Sequence, residues 1–173
     1  MLTFSRFIQE NWNEKLHPRI SRGHKGGGRF TNKYLHYAPT KVSKVNPGPE
    51  QSTNEMKPRG LWVSVGSEWA DWAKAEKFGV ERLKEKTTVV LKKHAKILRI
   101  STAEELDNFT AKYRGDDKKF PMINWKKVAA KYQGIVIAPY IWSRRMTNHT
   151  MWYYGWDVAS GCVWDPNAIK EIK

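Results

Sequence analysis

Apolar positions along the chain follow two rhythms. Near the N-terminus, Phe4, Phe7, Ile8 and Trp12 recur at spacings of three and four behind Thr3, which predicts a capped amphipathic helix over residues 3–16. Residues 17–33 have no apolar period; they hold His17-Pro18-Arg19 and three consecutive glycines, Gly26 to Gly28, and read as a flexible basic linker. A folded domain begins at Tyr34. Short strands are expected at 34–37, 60–64, 87–91, 96–100, 135–137, 151–157 and 161–164. Helices are expected at 68–78, capped by Ser67 and closed by Gly79, then from a Ser101/Glu104 capping box to Tyr113, and at 125–132 behind Asn124. Many strands separated by few helices define an α+β class with a mainly antiparallel sheet.

Composition changes this picture in two ways. Of 173 residues 40 % are hydrophobic, enough for a sizeable core, and nine are Trp. The net charge is +14, which points to a polyanionic neighbour, most simply nucleic acid. The single cysteine, Cys162, excludes an intramolecular disulfide framework and a cysteine-based zinc site within one chain, and its place in an expected strand makes it a buried, inert thiol. The longest apolar run, 135–142, contains Pro139 and is far shorter than the roughly 20 residues of a spanning helix. Neither a membrane span nor a secretory signal is therefore expected.

Generic motifs of chemistry are missing. The five histidines (His17, His24, His36, His94 and His149) are scattered, there is no His-Glu-x-x-His and no Gly-x-Ser-x-Gly, and the glycine run lacks the spacing of a phosphate loop. What remains is an ordered series. One strand carries His36 and Tyr37; a second reads Gly60-Leu61-Trp62-Val63-Ser64 and runs into a helix with Glu68, Trp69 and Trp72. Later come Gln133-Gly134-Ile135-Val136-Ile137 and Ser160-Gly161-Cys162-Val163-Trp164-Asp165.

This order resembles the catalytic fold of ADP-ribosyltransferases, in the branch of poly(ADP-ribose) polymerases and diphtheria toxin, over residues 34–173. The resemblance implies a split, mostly antiparallel sheet with flanking helices, and NAD as substrate. It implies that His36 bonds a ribose hydroxyl, that Trp62 and Trp72, with Trp69 a turn earlier, stack on the nicotinamide, and that Tyr37 and Ser64 complete the dinucleotide site. The family's catalytic Glu falls on Ser160; Asp157, three residues earlier, is the substitute, with Glu68 behind it. Arg144 and Arg145 leave a related fold, the RNA 2′-phosphotransferases, as a further reading.

The first ten residues, Met1-Leu2-Thr3-Phe4-Ser5-Arg6-Phe7-Ile8-Gln9-Glu10, resemble the capsid-targeting peptides of internal head proteins from T-even-like tailed phages. That resemblance implies cleavage after Glu10 by a head maturation protease, a place inside the capsid beside packaged DNA, and later delivery into the host cytoplasm. The expected activity is transfer of ADP-ribose from NAD to a host protein or nucleic acid. The rival is a catalytically inactive basic head protein that binds DNA or inhibits a host defence protein.

Overall fold

The computed structural model describes residues 32–173. The expected N-terminal helix, the Glu10 cleavage position and the linker up to residue 31 lie outside the described residues. The remainder is α+β. Seven strands form one sheet in the order β4-β5-β6-β2-β1-β3-β7. They are β1 (Lys33–Ala38), β2 (Leu61–Ser64), β3 (Glu85–Leu91), β4 (Ile97–Ile100), β5 (Gly134–Ile137), β6 (Ser160–Val163) and β7 (Ile169–Ile172). Three α-helices accompany them: α1 (Glu68–Ala75), α2 (Ala103–Lys112) and α3 (Trp125–Ala129). All neighbours in the sheet are antiparallel except β4 and β5.

Two cores lie against the sheet, and alternation along the strands decides which side chain enters which. Ile135, Ile137 and Cys162 join Leu106, Phe109, Trp125 and Trp152. Val63, Val136 and Val163 join Tyr34, Val89 and Leu91. β5 and β6 are buried along their whole length, which is why 135–137 reads as an unbroken apolar run. Gly161 makes this layer possible, because a Cβ there would stand 2.5 Å from the Ile135 carbonyl oxygen. Cys162 is buried as expected; its thiol pKa is pushed far up by desolvation.

Several elements differ from expectation. Residues 151–157 do not form a strand; Asn148–Gly155 is a run of 3-10 turns. The aromatic content favours a strand locally, but Trp152, Tyr153 and Trp156 are all buried at spacings of one and three, which a helical turn satisfies. Thr147 caps this run through the Thr150 N–H. The capping box of α2 is Thr102 with Glu105, one residue later than expected; Ser101 instead donates both its N–H and hydroxyl to Glu105. The hydroxyl of Ser67 donates to Asp71 and does not cap α1. That helix ends at Ala75, where Lys77 takes a left-handed conformation (φ 53°) ahead of Gly79. α3 is shorter than expected, with Asn124 capping it through the Lys127 N–H. β7, absent from the expected elements, pairs with the far edge of β3.

Candidate functional site

The pairing of β1 changes abruptly from one side to the other. With β3 it is registered from Lys33↔Val90 to Ala38↔Glu85. With β2 it is registered at Leu35↔Ser64 alone. Beyond that pair the two strands no longer share a ladder, and a cleft of about 290 Å³ opens there. That is near the lower edge of the roughly 300–1,000 Å³ typical of small-molecule sites.

Of the residues singled out from the sequence, His36, Tyr37, Trp62, Ser64, Trp69, Asp157 and Ser160 line this cleft. They come from β1, β2, α1, the approach to β6 and the first residue of β6. His36 spans the gap: its Nδ1 lies 2.7 Å from the Trp62 carbonyl oxygen. A carbonyl only accepts, so Nδ1 donates, which leaves Nε2 as the ring's other polar atom. Trp62 is held edge-on by Trp156, with centroids 4.8 Å apart. Trp69 is stacked on Trp72 at 5.1 Å, and Phe78 closes edge-on over both. Trp72 itself does not line the cleft but backs Trp69, so the aromatic wall on the α1 side is Trp69. Burial pushes the Tyr37 phenol up, and the charge of Asp71 adds to the rise.

The two serines are less available than expected. Ser64 Oγ donates to the Gly66 carbonyl and accepts the Trp69 N–H at 3.0 Å, so it ties β2 to the first turn of α1. Ser160 stands opposite Ser64 in the ladder and donates its hydroxyl to the Val158 carbonyl. In each case the hydroxyl proton is held by a backbone carbonyl.

The carboxylates are arranged differently from one another. Asp157 faces the cleft and its Oδ1 accepts from Arg145 at 3.0 Å. Burial raises its pKa above the ordinary carboxylate range, and the charges of Arg145 and then Lys57 oppose that rise. Arg145 lies over the rings of Trp142 and Tyr154, with centroid distances of 5.6 and 5.3 Å. Glu68 does not line the cleft. Its Oε2 accepts the Ala159 N–H at 3.0 Å, beside Ser160, and burial raises its pKa. Arg144 is held by Asp107 through two nitrogens, at 2.7 and 2.8 Å, and neither Arg144 nor Arg145 lines the cleft.

Sequence reasoning missed Lys57, Arg82 and Trp156, which also line the cleft. Trp156 was legible as the aromatic neighbour of Asp157, but a strand over 151–157 concealed its direction. Lys57 sits in an irregular segment and Arg82 ends the short 3-10 turn Val80–Arg82, and no motif marks either.

Among the described residues no group of three His, Cys, Asp or Glu side chains gathers to hold a metal ion, and no helix is long and apolar enough to cross a membrane. Comparison of the chain with protein-family models, with curated proteins and with solved structures returned no match.

Proposed function

We propose that this protein has an ADP-ribosyltransferase-like fold, that it binds NAD in the cleft between β1 and β2, and that it transfers ADP-ribose to a host macromolecule. The observation that carries the reading is convergence. Seven residues chosen by motif order, from His36 to Ser160, meet around one cavity. They meet where β1 and β2, neighbours in one continuous sheet, share a single registered pair.

The chemistry follows from the lining. An NAD molecule in the cleft would meet the indoles of Trp62 and Trp69 at its nicotinamide end, and His36 Nε2 would accept from a ribose hydroxyl. Water is displaced from the aromatic walls, which strengthens every charge interaction inside. The bond between the ribose carbon and the nicotinamide nitrogen breaks, and nicotinamide leaves as a neutral ring with the bonding pair. A nucleophile on the target bonds to the same ribose carbon and gives up its proton. Positive charge develops on the ribose during this exchange, and a carboxylate stabilises it. Asp157 is the carboxylate in reach of the cleft, held in place by Arg145.

The setting is proposed on the first ten residues and the charge. A +14 chain is retained by packaged DNA through phosphate neutralisation, so the capsid interior is a compatible store before delivery into the host cytoplasm. Cleavage after Glu10 by the head maturation protease removes one Arg and one Glu, and leaves that charge unchanged.

A second reading has its own observation. Ser160 occupies the position of the family's Glu, with its hydroxyl on Val158. A protein that keeps the cleft without transfer, and acts as a basic DNA-binding or inhibitory head protein, would have that residue. Labelled NAD added to a host lysate separates the two. Label transferred by wild type and lost in His36→Ala supports the transferase. NAD bound in calorimetry with no label transferred selects the inactive protein. Neither binding nor transfer removes NAD from the account.

A further inference from the structure

Lys57 and Arg82 bring positive charge to a cleft whose sole carboxylate, among the described residues that line it, is Asp157. Lys57 lies in the loop that leads into β2. That loop is pinned on both sides: Gln51 donates to the Arg59 carbonyl and accepts the Arg59 N–H, and Glu55 bridges to Ile123. From it the Lys57 stem runs along Gly155, where an added Cβ would stand 3.0 Å from its Cε. Its Nζ ends 5.1 Å from the centroid of Trp62, the distance of a cation held by the ring's negative face. Asp157 has given an oxygen to Arg145 and acts on Lys57 as a nearby charge. Burial disfavours the ammonium and lowers its pKa, an effect that Asp157 opposes. An anion entering the cleft would oppose it further.

We infer that Lys57 is the specificity-determining residue of the cleft: by standing on the Trp62 ring it makes the site favour the diphosphate of an ADP-ribosyl ligand and disfavour a second cation on that ring. The inference rests on the reading that the cleft takes NAD. Nicotinamide in NAD is a pyridinium and carries a positive charge. ADP-ribose has the same diphosphate without it. NAD must therefore bring its pyridinium to a ring that already carries an ammonium, whereas ADP-ribose meets Lys57 and Arg82 with negative charge alone. ADP-ribose binds this protein more tightly than NAD, and the difference resides in one side chain.

The test is calorimetry of the full chain with NAD and with ADP-ribose, on wild type, Lys57→Met and Lys57→Arg. Wild type should bind ADP-ribose about tenfold more tightly than NAD, a difference of about 1.4 kcal/mol. Lys57→Met keeps the stem and removes the charge, so ADP-ribose should weaken and the ratio should fall toward one. Lys57→Arg should keep the ratio. If Lys57→Met does not melt cooperatively, Lys57→Gln carries the same comparison. A ratio unchanged in the uncharged variant, or wild type that prefers NAD, overturns the inference and leaves NAD binding standing. ADP-ribose bound with no NAD bound, in wild type and Lys57→Met alike, overturns NAD as the substrate and the inference that rests on it. Binding of neither overturns both.

Discussion

Asp157 and Arg145 form an ion pair whose side chains retain only 19 % and 10 % of their exposure. Removing one partner leaves the other charge in a poorly solvated place, which costs more than the intact pair contributes. Arg145→Met should lower unfolding stability by about 3 kcal/mol in urea titration. Replacing both residues, Arg145→Met with Asp157→Leu, should recover part of that loss. Glu68 supplies a pH test. Its carboxyl is raised mainly by burial, more than the Ala159 N–H lowers it, and Asp71 adds to the rise. The folded chain then holds this proton more firmly than the unfolded chain. Stability from this group is present at low pH and is lost as pH rises from about 4 through the raised value. Asp157 contributes with the same sign. Glu68→Gln keeps an oxygen for Ala159 and cannot ionise. Its urea midpoint should therefore fall less steeply over that window than the wild-type midpoint; an unchanged slope would assign the pH dependence elsewhere.

At the scale of elements, the junction from β2 to α1 sets the cleft. Ser64 is 3 % exposed and bonds both Gly66 and Trp69, so the strand's last residue fixes the helix that presents the aromatic wall. Ser64→Ala leaves the Trp69 N–H without its acceptor and should cost about 1–2 kcal/mol. It should also weaken NAD binding more than Thr102→Ala does, although the latter removes the α2 cap and costs a similar amount, about 1 kcal/mol. Equal effects on binding would mean that the junction merely stabilises the fold. Most strands were legible because short runs of apolar, β-branched and aromatic residues bounded by glycine or polar turns are local signals. The 148–155 segment was not, because its aromatic residues satisfy strand propensity locally and a three-dimensional core globally, and the core prevailed.

For the whole molecule the charge of +14 is the dominant property. Binding to duplex DNA should be strongly salt-dependent. A protein meeting about six phosphates loses about a thousandfold in affinity between about 50 and 200 mM salt. Fluorescence anisotropy across that range measures the slope, and a flat response would remove DNA from the proposed partners. Mass spectrometry of mature particles addresses the N-terminal resemblance: the first residue should be Asn11, and an intact Met1 or the protein's absence would exclude the packaging route.

The α+β class, six of the seven strands, the basic character and the candidacy of His36, Trp62, Trp69 and Asp157 were contained in the sequence. Each depends on the identity of residues close together in the chain or on their order along it. Only the tertiary structure decided that β1 and β2 part after a single registered pair, that Trp72 stands behind Trp69, and that Ser64 and Ser160 spend their hydroxyl protons on backbone. It also decided that Lys57 stands on Trp62. These are choices among competing partners. A hydroxyl, an indole or an ammonium takes the partner that the packed chain brings within a few ångströms, and residues distant in sequence supply most of those partners.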